Sequence, residues 1–212
     1  MPKSRRYRNP GSTRTRVLEA AAACFSEKGF AGTSMRDISR ASGVLQSLIH
    51  HHFGTKQELW QEVLRSFGRR YRSRQDAFMS GENLDRSDFL KGAETLFRFQ
   101  LENPELLRLS LWAALEPIPT DGEADDGMID AISARLQAMQ AGGTIRPDID
   151  PGLLGALVAG MTEYWVRRKP DLSRALRLDP DDATTDRRYF DTMVKVLTSG
   201  CLLPPSPDKT SP

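Results

Sequence analysis

Apolar residues recur along most of the chain at spacings of three and four, the period that lines one face of an α-helix. Val17, Ala21, Cys24 and Phe25 set the first such run, with Ser12 or Thr13 ahead of it as N-cap and Gly29 just past its end. The spacing predicts a first helix from about residue 13 to 28. Ser34 followed by Asp37 is an N-cap arrangement, and Met35, Ile38 and Ala41 mark one face of a short second helix. That helix stops at Ser42-Gly43, where glycine admits a sharp turn. Residues 44–52 form a short third helix, ended by Phe53-Gly54. Thr55 with Glu58 repeats the cap, and Leu59, Val63, Phe67 and Tyr71 follow at intervals of four, predicting a long fourth helix into the late seventies.

No later segment alternates long enough to make a strand. Phe89, Ala93, Leu96, Phe97 and Leu101 make helix five, which stops before Asn103-Pro104 because proline cannot continue it. Asn103 is then placed to cap a sixth helix carrying Leu107, Leu111, Trp112 and Leu115 up to Pro117. Residues 120–127 are acidic and turn-rich, hence a loop. Ile129, Ile132, Leu136 and Met139 define helix seven, which ends at Gly142-Gly143. Asp150-Pro151 opens helix eight, whose Leu153, Leu154, Leu157, Val158, Met161, Tyr164 and Trp165 cover more than one stripe; a helix apolar on two sides needs two partners. Residues 170–186 read as a polar connection, and Tyr189, Phe190, Met193, Val194 and Leu197 make helix nine before Gly200. The expected fold is all-α, with about nine helices.

Charge changes this picture. The 212 residues sum to +2, but residues 1–74 carry +10 and the remainder −8, so one part is suited to a polyanion and the other to something else. Residues 1–11 hold Lys3, Arg5, Arg6 and Arg8 among prolines and glycine without apolar periodicity, and read as a flexible basic arm. Residues 204–212 include four prolines and read as a disordered tail. The longest apolar run, residues 152–161, spans 10 positions, half of what a membrane helix needs. The alanine-rich stretch after the basic start is broken by Glu19 and reads as no secretion signal. Cys24 and Cys201 sit in apolar stretches as two reduced hydrophobes, which fits the cytoplasm.

A capped helix, a glycine turn and a second short helix over residues 34–52, inside the basic third, form the pattern of a helix-turn-helix. Its physical requirement is a rigid corner that frees the second helix to enter a major groove about 12 Å wide. Ile38, Val44 and Ile49 pack the corner inward, leaving Gln46, Ser47 and His50 to face the groove. Such corners also occur in proteins that never touch DNA; the basic arm and the basic block favour DNA here. His50, His51 and His52 are the only histidines, and consecutive helical positions point about 100° apart, so they do not converge on one ion; no metal or cofactor is expected. Arg65, Arg69, Arg70, Arg72 and Arg74 on helix four read as a solvated face.

Residues 25–64 (FSEKGFAGTSMRDISRASGVLQSLIHHHFGTKQELWQEVL) resemble the DNA-binding domain of the tetracycline-repressor, or TetR, family of transcriptional regulators. The likeness rests on Gly29 to Ser34 as a G-x-x-x-T-[ST] entry, Ala41-Ser42-Gly43-Val44 as the turn, His52-Phe53 at the helix end, and Gly54-Thr55-Lys56 with Leu59. Asn103-Pro104-Glu105 and the segment from Asp148 to Pro151 match the later part of the family more generically. The resemblance implies a three-helix DNA-binding domain over residues 12–54 and a helical effector-binding and dimerisation domain over 55–203, with helix four as connector. It also implies a homodimer paired through its last two long helices, about 151–168 and 185–199, on a palindromic operator.

Carried over by position, the base-reading surface is Arg36, Gln46, Ser47, Leu48 and His50, with Arg36 suited to guanine, Gln46 to adenine and Leu48 to a thymine methyl. Ser34, Thr55 and Lys56 are expected at phosphates, and Arg5, Arg6 and Arg8 along the backbone or in a minor groove. Two departures stand out. Leu45 occupies the usual small N-cap position of the recognition helix, and His50 with His51 replaces two aromatics, so affinity is expected to rise as pH falls toward the histidine range near 6.5. Phe97, Trp112, Met161, Tyr164 and Trp165, with Arg108 and Glu116 as polar partners, are placed on helices the family uses for its effector cavity. The implied function is a cytoplasmic, ligand-responsive repressor. An activator or a ligand-independent architectural DNA binder is the alternative. An enzyme is disfavoured, since the chain has no glycine-rich phosphate loop, no G-x-S-x-G and no histidine outside the triple run.

Overall fold

The computed structural model describes residues 10–80, 84–116, 118 and 128–203. Among them are nine helices: α1 (Pro10–Lys28), α2 (Met35–Ser42), α3 (Gln46–Phe53), α4 (Lys56–Ser80), α5 (Arg86–Glu102), α6 (Pro104–Leu115), α7 (Met128–Ala141), α8 (Pro151–Leu176) and α9 (Ala183–Gly200). No strand occurs among them, only an isolated antiparallel bridge between Ile145 and Leu202. Residues 1–9 of the expected basic arm, the whole acidic loop of residues 120–127 and the proline-rich tail lie outside the described residues, whereas residues 10 and 11 of the expected arm belong to α1. The chain divides into two compact units, residues 1–69 with 105–126, and residues 70–104 with 127–212.

The first unit is built on a core that the helical periodicity of α1 to α4 foretells. Val17, Phe25, Ile38, Ile49, Leu59 and Val63 are almost wholly buried, and Trp60 meets Phe25 edge-on at 5.0 Å between ring centroids. Leu109 brings α6 into the same core. Two residues at the end of α6 hold it to α1 and the turn that follows. Glu116 accepts from the backbone N–H of Phe30 at 2.7 Å and of Ala31 at 3.1 Å, and the Trp112 indole donates to the Ser26 carbonyl at 3.3 Å. Gly29 has φ +69°, and a Cβ there would sit 2.7 Å from the Trp112 ring, so both its backbone and its surroundings demand glycine. α1 starts at Pro10 rather than near residue 13, a position that suits proline because the first turn leaves its N–H unused.

The second unit gathers α5, α7, α8 and α9 around Phe89, Phe97, Leu136, Met139, Leu154, Trp165, Phe190 and Met193. Asn103 closes α5 rather than opening α6: its Nδ2 donates to the Phe99 carbonyl at 2.7 Å and its Oδ1 accepts from Arg70 at 2.8 Å. α8 continues through Pro170 to Leu176, correcting the expectation of a polar connection from 170. Proline removes one intrahelical hydrogen bond there. Packing offsets that loss, since Leu172 and Leu178 lie against the core, while Asp186 accepts from Trp165 Nε1 at 2.8 Å and from Lys169 at 2.9 Å. The helix ends at Arg177 in the left-handed conformation, φ 55°.

Candidate functional site

The corner formed by α2 and α3 is locally dictated. Ser34 Oγ accepts from the Asp37 N–H at 3.1 Å while the Asp37 carboxylate accepts from the Ser34 N–H at 3.1 Å, a reciprocal cap that starts α2. Hydrogen bonds from the Ser34 hydroxyl and backbone hold the Asp37 carboxyl below its ordinary range. Gly43, at φ +63°, turns the chain, and the Arg16 guanidinium donates to the Ser42 carbonyl across it. Leu45 offers α3 no side-chain cap, as its side chain requires.

Ile38, Val44 and Ile49 are buried as expected, and the opposite face of α3 is open: Gln46, Ser47, Leu48, His50 and His51 are all exposed, as are Ser34 and Arg36 on α2. His50 Nδ1 lies 2.8 Å from the Gly54 carbonyl, which requires Nδ1 to donate, and its Nε2 lies 3.3 Å from Gln46 Nε2, from which it then accepts. That leaves Gln46 one N–H and its carbonyl oxygen, the pair that matches the adenine edge.

Thr55 and Lys56 already hold partners within the unit. The Thr55 N–H and hydroxyl donate to Glu58 at 2.6 and 2.8 Å, bonds that lower the Glu58 carboxyl, and Lys56 Nζ donates to the Phe30 and Thr33 carbonyls at 2.9 Å each. Any phosphate role for these residues therefore competes with those bonds. Arg5, Arg6 and Arg8 lie outside the described residues. The arginines of α4 are not a bare solvated row. Burial disfavours charge on Glu62, but Arg14, Arg69 and Arg65 at 2.7, 2.9 and 3.1 Å outweigh it and bring its carboxyl down to about 2.

The second unit holds a cavity of about 300 Å³. Phe89, Leu96, Ile132, Leu136 and Val158 give it apolar walls, and Gly92, Ala93, Gly155 and Ala159 make room between α5 and α8. Its polar lining is Tyr71 and Gln75 from α4 and Gln100 from α5. None of the seven residues expected at an effector site lines it. Phe97 is buried in the core and stacks on Phe190 at 5.2 Å, Trp165 stacks on Tyr189 at 4.4 Å, and the Met161 carbonyl accepts from the Tyr189 hydroxyl. Tyr164 is exposed; Arg108, Trp112 and Glu116 belong to the other unit, where Arg108 is exposed and the other two make the contacts already described. The cavity residues did leave a signal, because Gln75 falls one turn beyond Tyr71 and Gln100 one turn beyond Leu96, polar residues extending apolar faces. Among the described residues no three or more His, Cys, Asp or Glu side chains are grouped to hold a metal ion.

Two family models match: one described as bacterial regulatory proteins, tetR family, over residues 17–63, and one described as tetracyclin repressor-like, C-terminal domain, over residues 88–195. The chain belongs to the TetR family of bacterial regulators. It is 29% identical over 166 residues to the HTH-type transcriptional repressor KstR2 of Mycolicibacterium smegmatis, covering 74% of this chain and 80% of that one. It is 28% identical over 183 residues to the repressor SCO4008 of Streptomyces coelicolor, covering 84% and 90%. A TetR transcriptional regulator from Chloroflexus aurantiacus superposes with a TM-score of 0.68 at 26% identity, over 92% of this chain and 98% of that one. The protein is thus a DNA-binding transcriptional regulator rather than an enzyme, and the corner of α2 and α3 is its helix-turn-helix. TetR regulators bind operator DNA, usually as dimers that respond to a small molecule. No described helix is long and apolar enough to cross a membrane.

Proposed function

We propose that this TetR-family protein is a repressor that binds a palindromic operator as a homodimer and leaves it when a small molecule fills the cavity of the second unit. It works beside the chromosome, in the bacterial cytoplasm. The observation that carries the reading is the exposed face of α3, Gln46, Ser47, Leu48, His50 and His51, set on a corner whose Ile38, Val44 and Ile49 are buried, inside a stretch of net charge +10. Arg36 and Gln46 supply bidentate base contacts, and Leu48, 39% exposed, supplies an apolar one. Ser34, Thr55 and Lys56, with Arg5, Arg6 and Arg8, contribute at the backbone.

Dimerisation through α8 and α9 is supported by an apolar face with no cover in the single chain. Leu153, Leu157 and Tyr164 on α8 are 66%, 62% and 48% exposed, and Val196 on α9 is 60% exposed, while Leu154, Val158 and Trp165 on the other side of α8 are buried. The two-sided character of α8 read from the sequence thus has one partner inside the chain and one open side. The two names KstR2 and SCO4008, both repressors, support repression over activation. The test is selection of bound fragments from the source genome by purified protein, followed by sequencing. An enriched inverted repeat with half-sites about one DNA turn apart is the expected result. Binding with a steep salt dependence but no preferred site would favour an architectural protein instead.

A further inference from the structure

The cavity carries an unmet hydrogen-bonding demand. Gln75 is 2% exposed, and its Nε2 donates to the Tyr71 hydroxyl at 2.8 Å, but its Oε1 is buried with no partner. Gln100 Oε1 is likewise buried and unpartnered. Both glutamines line the same cavity. Buried acceptors are ordinarily paired, because leaving one unmade forfeits its solvation with nothing in return. Two such atoms at one cavity are a demand for donors that the protein itself does not supply. Burial pushes the Tyr71 phenol up to about 12, so it keeps its proton and adds no charge. No Lys, Arg, Asp or Glu occurs among the described lining residues, so a charged occupant would lose its hydration without meeting a counter-charge. The remaining walls are aliphatic and aromatic, and the volume is at the small end of the range of ligand pockets, roughly 300–1,000 Å³.

We propose that the occupant of this cavity is a neutral, largely apolar small molecule that presents hydroxyl or N–H donors to the amide oxygens of Gln75 and Gln100. The proposal rests on reading the cavity as the effector site, and it adds the chemical class of that effector.

Three probes of one shape separate the terms: 2-naphthol, neutral with a donor; naphthalene, neutral without one; and 2-naphthoate, an anion. Titration calorimetry of the full-length protein at pH 7 is expected to rank 2-naphthol about three- to tenfold tighter than naphthalene, the worth of one neutral hydrogen bond, with 2-naphthoate weakest. Gln75→Met or Gln100→Met, whichever removes the amide oxygen that the single hydroxyl meets, and the two together in any case, should cost 2-naphthol that advantage while leaving naphthalene binding unchanged, methionine being similar in volume to glutamine. Unchanged naphthalene binding also shows that each variant keeps its cavity. Equal affinity for 2-naphthol and naphthalene, no effect of either glutamine, or tighter binding of 2-naphthoate would overturn the assignment. Release of the selected operator fragment is read in parallel. Glutamine-dependent binding of 2-naphthol without release upholds the chemical class and removes the effector role, whereas 2-naphthoate binding with release does the reverse.

Discussion

Glu62 shows how a single residue sets the pH range of the DNA-binding unit. Its carboxyl is held at about 2, against an ordinary 4.5, by three arginines that overcome the cost of burial. The folded-state value is depressed, so the stability it contributes is full above about 4.5 and drains away as pH falls toward 2. Glu62→Gln should lower the unfolding free energy at pH 7 by about 1 kcal/mol and flatten the acid limb between those two values, as measured by urea denaturation across pH. Identical acid limbs for the two proteins would contradict this. Individual partners of this kind were only partly legible in the sequence. The caps at Ser34 and Thr55 could be read because they join residues three apart, whereas Arg14 meets Glu62 across 48 positions, and nothing local announces it.

At the scale of elements, periodicity placed all nine helices and the corner between α2 and α3, because each helix buries one face and breaks at glycine or proline. The exception is instructive. Pro170 is a stop signal locally, but Leu172 and Leu178 beyond it pack inward and Asp186 fixes the preceding turn, so tertiary contacts carry α8 through it to Leu176. The recognition helix has the opposite defect, a start without a side-chain cap at Leu45, which is 76% exposed. Leu45→Ser removes little packing and supplies the missing acceptor, so it should raise stability by roughly 0.5–2 kcal/mol in chemical denaturation. A neutral or destabilising result would mean that the leucine packs in a way its exposure does not suggest. The cavity was less legible than the helices. The large aromatics named from the sequence pack into the core, while the empty space arises where Gly92, Ala93, Gly155 and Ala159 leave it, and a gap is set by what neighbouring helices fail to fill.

For the whole molecule, charge divides along the chain rather than between the two compact units: residues 1–74 carry +10, but the unit that offers the α3 face also takes in the acidic residues 105–126, and the other unit holds the cavity and an uncovered apolar face on α8 and α9. α4 is one unbroken helix whose first part belongs to the DNA-binding unit and whose Tyr71 and Gln75 line the cavity. If an effector fills the cavity and releases the operator, effector and operator binding oppose each other by the same factor in both directions. If α8 and α9 form the dimer, Leu157→Glu with Val196→Glu should yield a folded monomer in sedimentation and abolish tight operator binding, since one half-site alone remains. A double variant that still sediments as a dimer would move the interface elsewhere.

The central claim is that the α3 face reads bases. Its most direct test is fluorescence anisotropy of wild type and Gln46→Ala on the selected operator and on a scrambled duplex, at one fixed salt concentration. Loss of a bidentate base contact should weaken operator binding at least fivefold, from a cost of about 1–3 kcal/mol, and leave the scrambled duplex and the salt slope unchanged. Equal weakening on both duplexes, or no weakening on the operator, would contradict it.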